Sequence, residues 1–377
     1  MRKRIANARR VIVKLGSSTI GAPHGGLDVA CITGLAGEIV AARRAGVEIV
    51  IVSSGAILAG RGKLRITTPN SQLDVVAKQA IAAVGQVEIM RFWQYIFDWY
   101  GVVVGQILVT REVIGQRKSF INARHTLQAL LARDVIPVVN ENDSVAVEEI
   151  RLGDNDNLSA MVAGLVDAEL LILLTDKDGL YSNDPAVDPT AKLIPFVSLH
   201  DDGGEFVTGD SRSGVGLGGM NTKVAAAKTA ARFGVPTVIA AGKKHGILTE
   251  ILTGREVGTL FEPFLEPLKG RKRWILCQDA PSGEIVVDDG ARAALVKGGK
   301  SLLPSGILNV KGEFDQGDAV LIRAADGHDI ARGLANYTAD EIRRIKGLNS
   351  AAIESVLGYT AGEEVVHRDD FALLESP

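Results

Sequence analysis

Polar side chains follow several apolar runs of this 377-residue chain, and their types suit the binding of anions. The first such segment is Val13–Gly16, in which Lys14 and Gly16 lie at the end of an apolar run. A lysine at a strand end can direct its charge into a ligand crevice, and a glycine lets the backbone amides approach a bulky anion. A solvated lysine in a turn is the alternative for this segment.

A pair of hydroxyls and a glycine follow the next apolar run, in the segment Val52–Ala56. Small residues with free amide groups at a helix start favour phosphate or carboxylate binding. Simple capping of the helix by Ser53 or Ser54 fits the same residues equally well.

Two clusters of amides and carboxylates come next, at Asn140–Asp143 and Gly153–Asn157. Each cluster alone could be only a turn, and Asp156 or Asn157 could be only a helix cap. Two clusters so close in sequence predict a ligand-binding surface, which could hold the ammonium and the carboxylate of an amino acid together.

Two further segments suit a nucleotide. Thr175 and Asp176 leave a very apolar run and could frame a base and ribose, although the nearby Asp178-Gly179 pair also fits a type I turn. The segment Gly218–Lys223 opens an alanine-rich helix, where free N–H groups attract an anion. Lys223 opposes the helix dipole in that first turn unless an anion is bound, which indicates a function.

These segments need a framework that gathers the ends of apolar runs at one edge. Residues 10–262 alternate continuous Val, Ile and Leu runs with helical patterns, which predicts a mostly parallel sheet covered by helices. Ligands bind such sheets beyond the carboxyl ends of the strands. The predicted strands are Val11–Val13, Ile49–Val52, Val102–Val109, Val135–Val139, Leu170–Thr175 and Val235–Ala240, and the predicted helices include Leu27–Ala45, Asn122–Arg133, Leu158–Val166 and Thr222–Phe233.

The alternation of strand and helix patterns ends at residues 263–274, where prolines and the basic cluster Arg271–Arg273 indicate a domain boundary. Short strand patterns separated by Gly and Asp turns follow, which predicts a small β-rich module with a turn at Ala324–Gly327. The predicted strands of this module are Gly283–Val287, Gly306–Val310, Ala319–Ile322 and Asp329–Ala335.

The composition excludes several classes of protein. The chain is 46% hydrophobic with a net charge of −3, and it has only two cysteines, which fits neither a disulfide framework nor a zinc site. It shows no secretory signal and no apolar run long enough for a membrane helix, so we expect a cytoplasmic protein. The glycines of Gly214–Gly219 match a dinucleotide-binding motif, but no strand pattern precedes them. His367–Asp369 imitates the catalytic loop of protein kinases, but the metal-binding motif that should follow is missing. The sequence also contains no P-loop pattern.

In their order along the chain, these motifs resemble the amino acid kinase family, and in particular its members that phosphorylate L-glutamate. The β-rich end resembles the PUA domain that such members carry. The motifs that carry the resemblance are Val13–Gly16, Val52–Ala56, Ala82–Gln86, Asn140–Asp143, Gly153–Asn157, Gly218–Lys223 and residues 271–275.

The resemblance implies an α/β fold, a three-layer sandwich around a mostly parallel sheet, with a small β-rich PUA-like domain at the C-terminus. It implies a kinase domain over residues 1–265, a linker over 266–280, a PUA-like domain over 281–360 and a tail over 361–377. It also implies that ATP with Mg²⁺ on its phosphates converts L-glutamate into L-glutamate 5-phosphate, the first step of proline biosynthesis. Feedback inhibition by L-proline and a homo-oligomer, a dimer or tetramer, are further implications.

The resemblance also implies roles for individual residues. Lys14 and Lys223 would contact the phosphates, and Asp156 would orient both lysines. Leu217 stands where the family pattern has threonine, so we expect only a backbone contact there. The substrate-binding set is Ser54, Gly55, Asn140, Asp143 and Asn155. The ATP-binding set is Lys14, Gly16, Thr175, Asp176, Leu217, Gly218, Gly219, Met220, Asn221, Thr222 and Lys223, and no protein-bound metal is expected.

The sequence leaves two alternatives open. One is a kinase for another amino acid, such as N-acetylglutamate or aspartate. The other is an RNA-binding or RNA-modifying protein that acts through the PUA-like domain. Residues 271–377 contain 13 Lys or Arg and 17 Asp or Glu, a net charge of −4. Nucleic-acid binding favours a basic surface, so this charge disfavours the second alternative.

Overall fold

The computed structural model describes residues 1–22, 26–110, 117–145, 154–199, 219–263, 275 and 281–374. These residues form two compact units, one built on an eight-stranded sheet and the other on a five-stranded sheet. None of the described helices combines the length and the hydropathy that a membrane span requires.

The first unit is built on a mostly parallel sheet with the strand order β3-β4-β2-β1-β5-β7-β8-β6. Neighbouring strands run parallel, except that β8 is antiparallel to β7. Its strands are β1 (Arg10–Leu15), β2 (Glu48–Ser53), β3 (Val104–Val109), β4 (Ile136–Glu141), β5 (Leu170–Thr175), β6 (Phe196–Ser198), β7 (Thr237–Ala241) and β8 (Thr259–Glu262).

Helices cover both faces of this sheet, which gives the three layers predicted from the sequence. The helices of this unit are α1 (Arg2–Ala6), α2 (Ser17–Ile20), α3 (Val29–Arg44), α4 (Ala56–Leu64), α5 (Val75–Asp98), α6 (Arg117–Leu131), α7 (Asp154–Leu165), α8 (Met220–Arg232) and α9 (Ile247–Leu252).

The alternation of side chains along β1 assigns its residues to two different layers. Val11, Val13 and Leu15 belong to the core that α3, α5 and α9 complete. Ile12 and Lys14 therefore face the opposite layer, where α7 packs against β1 and α8 packs against α7. The only polar side chain among these buried positions of β1, that of Lys14, is thus directed toward the N-terminal halves of α7 and α8.

The second unit has a sheet of order β10-β9-β11-β12-β13. A hairpin joins β11 and β12, and its turn contains Gly327 with a φ of +93°, in the predicted place. The last strand pairs with β12, so the segment that the sequence set apart as a tail contributes to this sheet. The elements are β9 (Gly283–Val287), α10 (Asp289–Val296), β10 (Ile307–Gly312), β11 (Ala319–Ala324), β12 (Asp329–Leu334), α11 (Ala339–Ile345), α12 (Ile353–Leu357) and β13 (Phe371–Leu373).

All ten strands predicted from the sequence are present, with ends shifted by a few residues. The sequence did not predict β6, β8 or β13, which are short. The longest helix of the described chain, α5, lies between two predicted strands but was not among the helices named from the sequence. The predicted linker over residues 266–280 lies outside the described residues, apart from Ile275.

Candidate active site

A buried carboxylate joins two lysines that are more than 200 positions apart in sequence. Lys14 Nζ lies 2.6 Å from Asp156 Oδ1, and Lys223 Nζ lies 3.2 Å from Asp156 Oδ2. Thr222 Oγ1 also donates to Asp156 Oδ2, at 2.7 Å. Asp156 is fully buried, and both lysines are nearly so. The three charged side chains together carry one excess positive charge, which suits an anionic ligand.

Local structure explains how these side chains meet. Lys14 is the fifth residue of β1, Asp156 is the third of α7, and Lys223 is the fourth of α8. The first turns of α7 and α8 thus converge on the carboxyl end of β1. Lys223 lies near the N-terminus of its helix as predicted, and Asp156 compensates the unfavourable helix dipole there.

Burial and pairing act in opposite directions on these groups. Burial alone raises the pKa of Asp156, but the two ammonium groups and the hydrogen bonds from Lys14 and Thr222 outweigh it and hold that pKa below its usual range. Burial lowers the pKa of Lys14, while Asp156 opposes this shift and Lys223 adds to it. Asp156 is therefore ionised at neutral pH.

A chain of neutral hydrogen bonds lies beside the charged cluster. Asn155 Nδ2 donates to Ser54 Oγ at 3.0 Å and to Asn140 Oδ1 at 2.9 Å. Asn140 Nδ2 in turn donates to Gln86 Oε1 at 2.6 Å. Asn155 Oδ1 is buried and accepts no hydrogen bond from the described residues. The four side chains come from β4, from α5, from α7 and from the loop that follows β2.

Two glycines make this arrangement sterically feasible. Gly55 has a φ of +98°, and a Cβ there would lie 2.6 Å from Ile20 Cδ1, so the turn after Ser54 requires glycine. Gly85 allows α5 to pass close to α4, because a Cβ there would lie 1.7 Å from the Ala56 carbonyl oxygen. The close packing of these helices fixes the position of Gln86, the next residue of α5.

Neither Ser53, the last residue of β2, nor Ser54, which follows it, caps α4. The N-cap of α4 is Gly55, with no side-chain hydrogen bond to the helix amides, which excludes the capping interpretation. Ser53 Oγ instead donates to the Ser54 carbonyl at 3.1 Å and accepts from Trp93 Nε1 at 3.2 Å. Trp93 thereby ties α5 to the backbone of the Ser54 loop.

Two of the predicted nucleotide residues, Thr175 and Asp176, lie on the other side of Lys14. Thr175 is the last residue of β5, and Asp176 Oδ1 accepts from Thr175 Oγ1 at 3.0 Å and from Ser18 Oγ at 3.3 Å. Burial raises the pKa of Asp176, but hydrogen bonds from its own backbone, Thr175 and Ser18, with the charge of Lys177, give a net lowering.

The order of the strands arranges these groups in a row. The neighbouring strands β4, β2, β1 and β5 carry Asn140, Ser54, Lys14 and Thr175 at or just beyond their carboxyl ends. This edge matches the expected ligand-binding position in a parallel sheet. The neutral amides lie at one end of the row, the lysines at its centre, and the Thr175–Asp176 pair at the other end.

Other predicted residues are placed less completely. Asp143 is half-buried in the turn after β4, and Gly219 to Thr222 form the cap and first turn of α8. Gly153, Leu217 and Gly218 lie outside the described residues. Asn140 is only 2% exposed, and both ends of its amide form hydrogen bonds inside the protein. Its role in substrate contact stays a prediction.

Three participants were not among the predicted site residues: Gln86, Trp93 and Ser18. Gln86 and Ser18 lie within or next to motifs noted in the sequence, but nothing in their spacing indicates which partner they reach. Trp93 follows the apolar pattern of α5 and carries no polar signal beyond its indole N–H, which usually finds a partner when buried.

The described residues hold no group of three His, Cys, Asp or Glu side chains that could bind a metal ion. Both oxygens of Asp156 are already paired with ammonium groups.

Comparison with known proteins gives consistent matches over nearly the whole chain. The model of the amino acid kinase family matches residues 9–241, and the model of the PUA domain matches residues 283–357. A glutamate 5-kinase of Trichlorobacter lovleyi is 50% identical over 370 residues, 98% of each chain. A glutamate 5-kinase of Pelobacter propionicus is 48% identical over 366 residues, 97% of this chain and 98% of that one.

Among solved structures, a UMP kinase of Bacillus anthracis covers 69% of this chain and 98% of its own at 17% identity, with a TM-score of 0.48.

Proposed function

We propose a reaction for this chain from its family, since it belongs to the amino acid kinase family and to its glutamate 5-kinases. It transfers the γ-phosphoryl group of ATP to the γ-carboxylate of L-glutamate. The product is L-glutamate 5-phosphate, and the reaction is the first step of proline biosynthesis. The observation that carries the assignment to this site is the pairing of Lys14 and Lys223 with the single carboxylate of Asp156.

Phosphoryl transfer depends on alignment and on charge, both of which this cluster can provide. The transferred group spreads negative charge over its oxygens, and fixed ammonium groups stabilise that charge best in a site that excludes water. Asp156 holds the two lysines at a fixed separation without neutralising both of them. Mg²⁺ carried by ATP would neutralise further phosphate charge when it is bound.

The acceptor needs no strong general base. The γ-carboxylate of glutamate is ionised at neutral pH and is already a nucleophile. The catalytic demand on the protein is therefore to hold this carboxylate in line with the phosphorus atom. Ser54, Asn155 and Asp143 lie on the β2 and β4 side of the row, and we assign them to L-glutamate.

The nucleotide is assigned to the other side of the row. Thr175 and Asp176 follow β5, and the first turn of α8 presents backbone N–H groups beside Lys223. Backbone donors at a helix start favour phosphate. Phosphate in this position would lie between the two substrate regions, as transfer between them requires.

An assay of ADP release tests this assignment. L-glutamate, N-acetyl-L-glutamate and L-aspartate are compared at equal concentration with ATP and Mg²⁺. We expect kcat/KM for L-glutamate to exceed that for the other two by at least about 100-fold, because a site built for a free ammonium and one carboxylate length rejects mismatched polar groups. A preference for either of the other acceptors would contradict the proposal.

Further parts of the proposal concern regulation, assembly and domain limits. We propose that L-proline inhibits the enzyme, and addition of proline to the same assay tests this.

We also propose a homo-oligomer. Val87, Tyr95 and Trp99 are exposed along α5 and its end, and apolar side chains exposed together favour association. Light scattering that gives the mass of one chain would contradict the oligomer. We also retain residues 1–265 as the kinase domain, and a cytoplasmic location, which the few cysteines support.

A further inference from the structure

The orientation of the Asn140 side chain is fixed by the protein backbone. The oxygen and the NH₂ group of an asparagine have nearly the same shape, so their positions must be deduced from their partners. The backbone N–H of Glu141 can only donate, and it lies 2.9 Å from the Asn140 amide. The atom of Asn140 that accepts this bond is therefore Oδ1.

This orientation determines the next one. Asn140 Oδ1 also lies 2.9 Å from the side chain of Asn155, which must present its donating Nδ2 there. The same Nδ2 donates to Ser54 Oγ. Asn155 Oδ1 is consequently turned away from both partners, and it is the buried acceptor without a hydrogen bond among the described residues.

Gln86 secures the other end of Asn140. Its Oε1 accepts from Asn140 Nδ2 at 2.6 Å, the shortest bond of the chain of amides. A glutamine oxygen in this place favours the same orientation of Asn140 that the Glu141 N–H requires. Loss of this acceptor would leave Asn140 Nδ2 without that partner and would loosen the support behind Asn155.

The hydrogen bonds from Gln86 through Asn140 to Asn155 form a relay, and its last atom, the buried Asn155 Oδ1, selects a class of ligand group. A buried oxygen without a donor is unfavourable until a ligand supplies one. An α-ammonium group offers three N–H donors and a positive charge, whereas an N-acylated amine offers one N–H and no charge. If Asn155 were reversed, its NH₂ group would face those donors, and the interaction would become repulsive.

We propose that Gln86 is a positioning residue that sets specificity for a free amino acid. Through Asn140, it holds the oxygen of Asn155, rather than its NH₂ group, toward the α-ammonium of the substrate. This inference rests on the proposed function, because it takes L-glutamate as the ligand of Ser54 and Asn155.

Replacement of Gln86 tests the relay without altering any proposed substrate contact. Gln86→Met keeps the length of the side chain and removes the acceptor, whereas Gln86→Glu keeps an acceptor oxygen. Gln94→Met is the matched control, since Gln94 lies on the same helix and donates to Asp98, away from the site. Should Gln86→Met not fold, Gln86→Leu provides the same comparison.

The readouts are kcat, the KM for L-glutamate and the KM for ATP, measured by ADP release. We expect Gln86→Met to raise the KM for L-glutamate about fivefold or more, with kcat and the KM for ATP within about twofold of the original values, because the relay acts on the amino acid alone. We expect Gln86→Glu to recover most of that loss and Gln94→Met to change none of the three values.

The other outcomes are each decisive. An unchanged KM for L-glutamate in Gln86→Met overturns the inference. A fall in kcat with an equal rise in both KM values also overturns it, because that would indicate general loosening of the site. A Gln86→Glu variant no better than Gln86→Met also overturns it. If the unaltered protein releases no ADP with L-glutamate, the proposed function fails and this inference fails with it, whereas normal activity with an unaffected Gln86→Met removes only the inference.

Discussion

Neighbouring residues of α7 serve two regions that rely on different physics. Asp156 is the centre of a charged cluster with Lys14 and Lys223, and Asn155 is the end of a neutral chain that passes through Asn140 to Gln86. Consecutive helical residues point about 100° apart, so one turn of α7 can serve both regions. The charged region depends on how many charges it holds, whereas the amide region depends on the direction of each hydrogen bond.

This difference predicts different losses on mutation. Charge–charge attraction falls off slowly with distance and tolerates small shifts, but it is strong when water is excluded. A hydrogen bond between neutral groups is weaker and fails when donor and acceptor are exchanged. Changes in the charged region should therefore reduce kcat and stability most, and changes in the amide region should act mainly on the binding of the amino acid.

Asp156→Asn should have the largest effect, because it leaves two buried ammonium groups without their shared counter-ion. Breaking a buried ion pair by removing one partner costs roughly 3–5 kcal/mol of the free energy of unfolding. We also expect kcat to fall by more than about 10²-fold, since both lysines lose their fixed position. Denaturant unfolding and ADP release measure the two effects.

The loss of stability in Asp156→Asn should depend on pH with a defined sign. The pKa of Asp156 is lowered in the folded state, so its carboxylate stabilises the fold above the unfolded-state value of about 3.9 and loses this effect as pH falls through the folded-state pKa. The stability difference from the original protein should be constant near pH 7 and shrink below about pH 4. Asp340→Asn, at an exposed ion pair with Arg343, is the control and should leave the Tm unchanged.

Lys14→Ala and Lys223→Ala should each reduce kcat by about 10²-fold or more, as expected for loss of one charge that stabilises the transition state. Their stability should fall less than that of Asp156→Asn, because each leaves Asp156 paired with the other lysine. Lys244→Ala removes a half-exposed lysine paired with Glu250 and should leave kcat unchanged. Near-normal kcat in both active-site variants would show that the charged region has no catalytic role.

Asn155→Ala should have an intermediate effect of a different kind. It removes the proposed acceptor of the substrate ammonium, and a hydrogen bond to a charged group contributes about 1.5–3 kcal/mol. The KM for L-glutamate should therefore rise roughly 10- to 100-fold, with the KM for ATP little changed. A fall in kcat like that of the lysine variants, with an unchanged KM, would erase the distinction between the two regions.

The sequence predicts the framework of the site better than its supporting contacts. Strands such as β4 and β5 are buried on both faces and appear as continuous apolar runs, which are easy to identify. The short strands β6 and β8 lack that signal, and β8 is stabilised by pairing with β7 rather than by its own pattern.

The same limit applies within the site. Lys14, Asp156 and Lys223 are conspicuous because a charged residue beside an apolar run needs a reason, and the family resemblance groups them. Gln86 and Trp93 lie on α5 and are polar only at the tip of their side chains. Their partners, Asn140 and Ser53, lie on the strands β4 and β2. Which partner each reaches depends on how α5 packs, and no spacing in the sequence encodes that packing.

Trp93→Phe should have the smallest effect, and it tests whether the loop between the two regions is held from behind. The change removes the hydrogen bond from the indole N–H to Ser53 Oγ in a buried place, which costs about 1 kcal/mol, and the smaller ring adds a packing loss of similar size. Because Ser53 also donates to the Ser54 carbonyl, we expect a modest rise of about two- to threefold in the KM for L-glutamate and little change in kcat. Tyr359→Phe is the control, since it removes a hydrogen bond to Glu341 from an aromatic side chain that is 43% exposed in the second unit.

Thermal unfolding and ADP release should show little change in Tyr359→Phe. An equal loss in both variants would indicate that the tryptophan–serine contact gives the Ser54 loop no specific support.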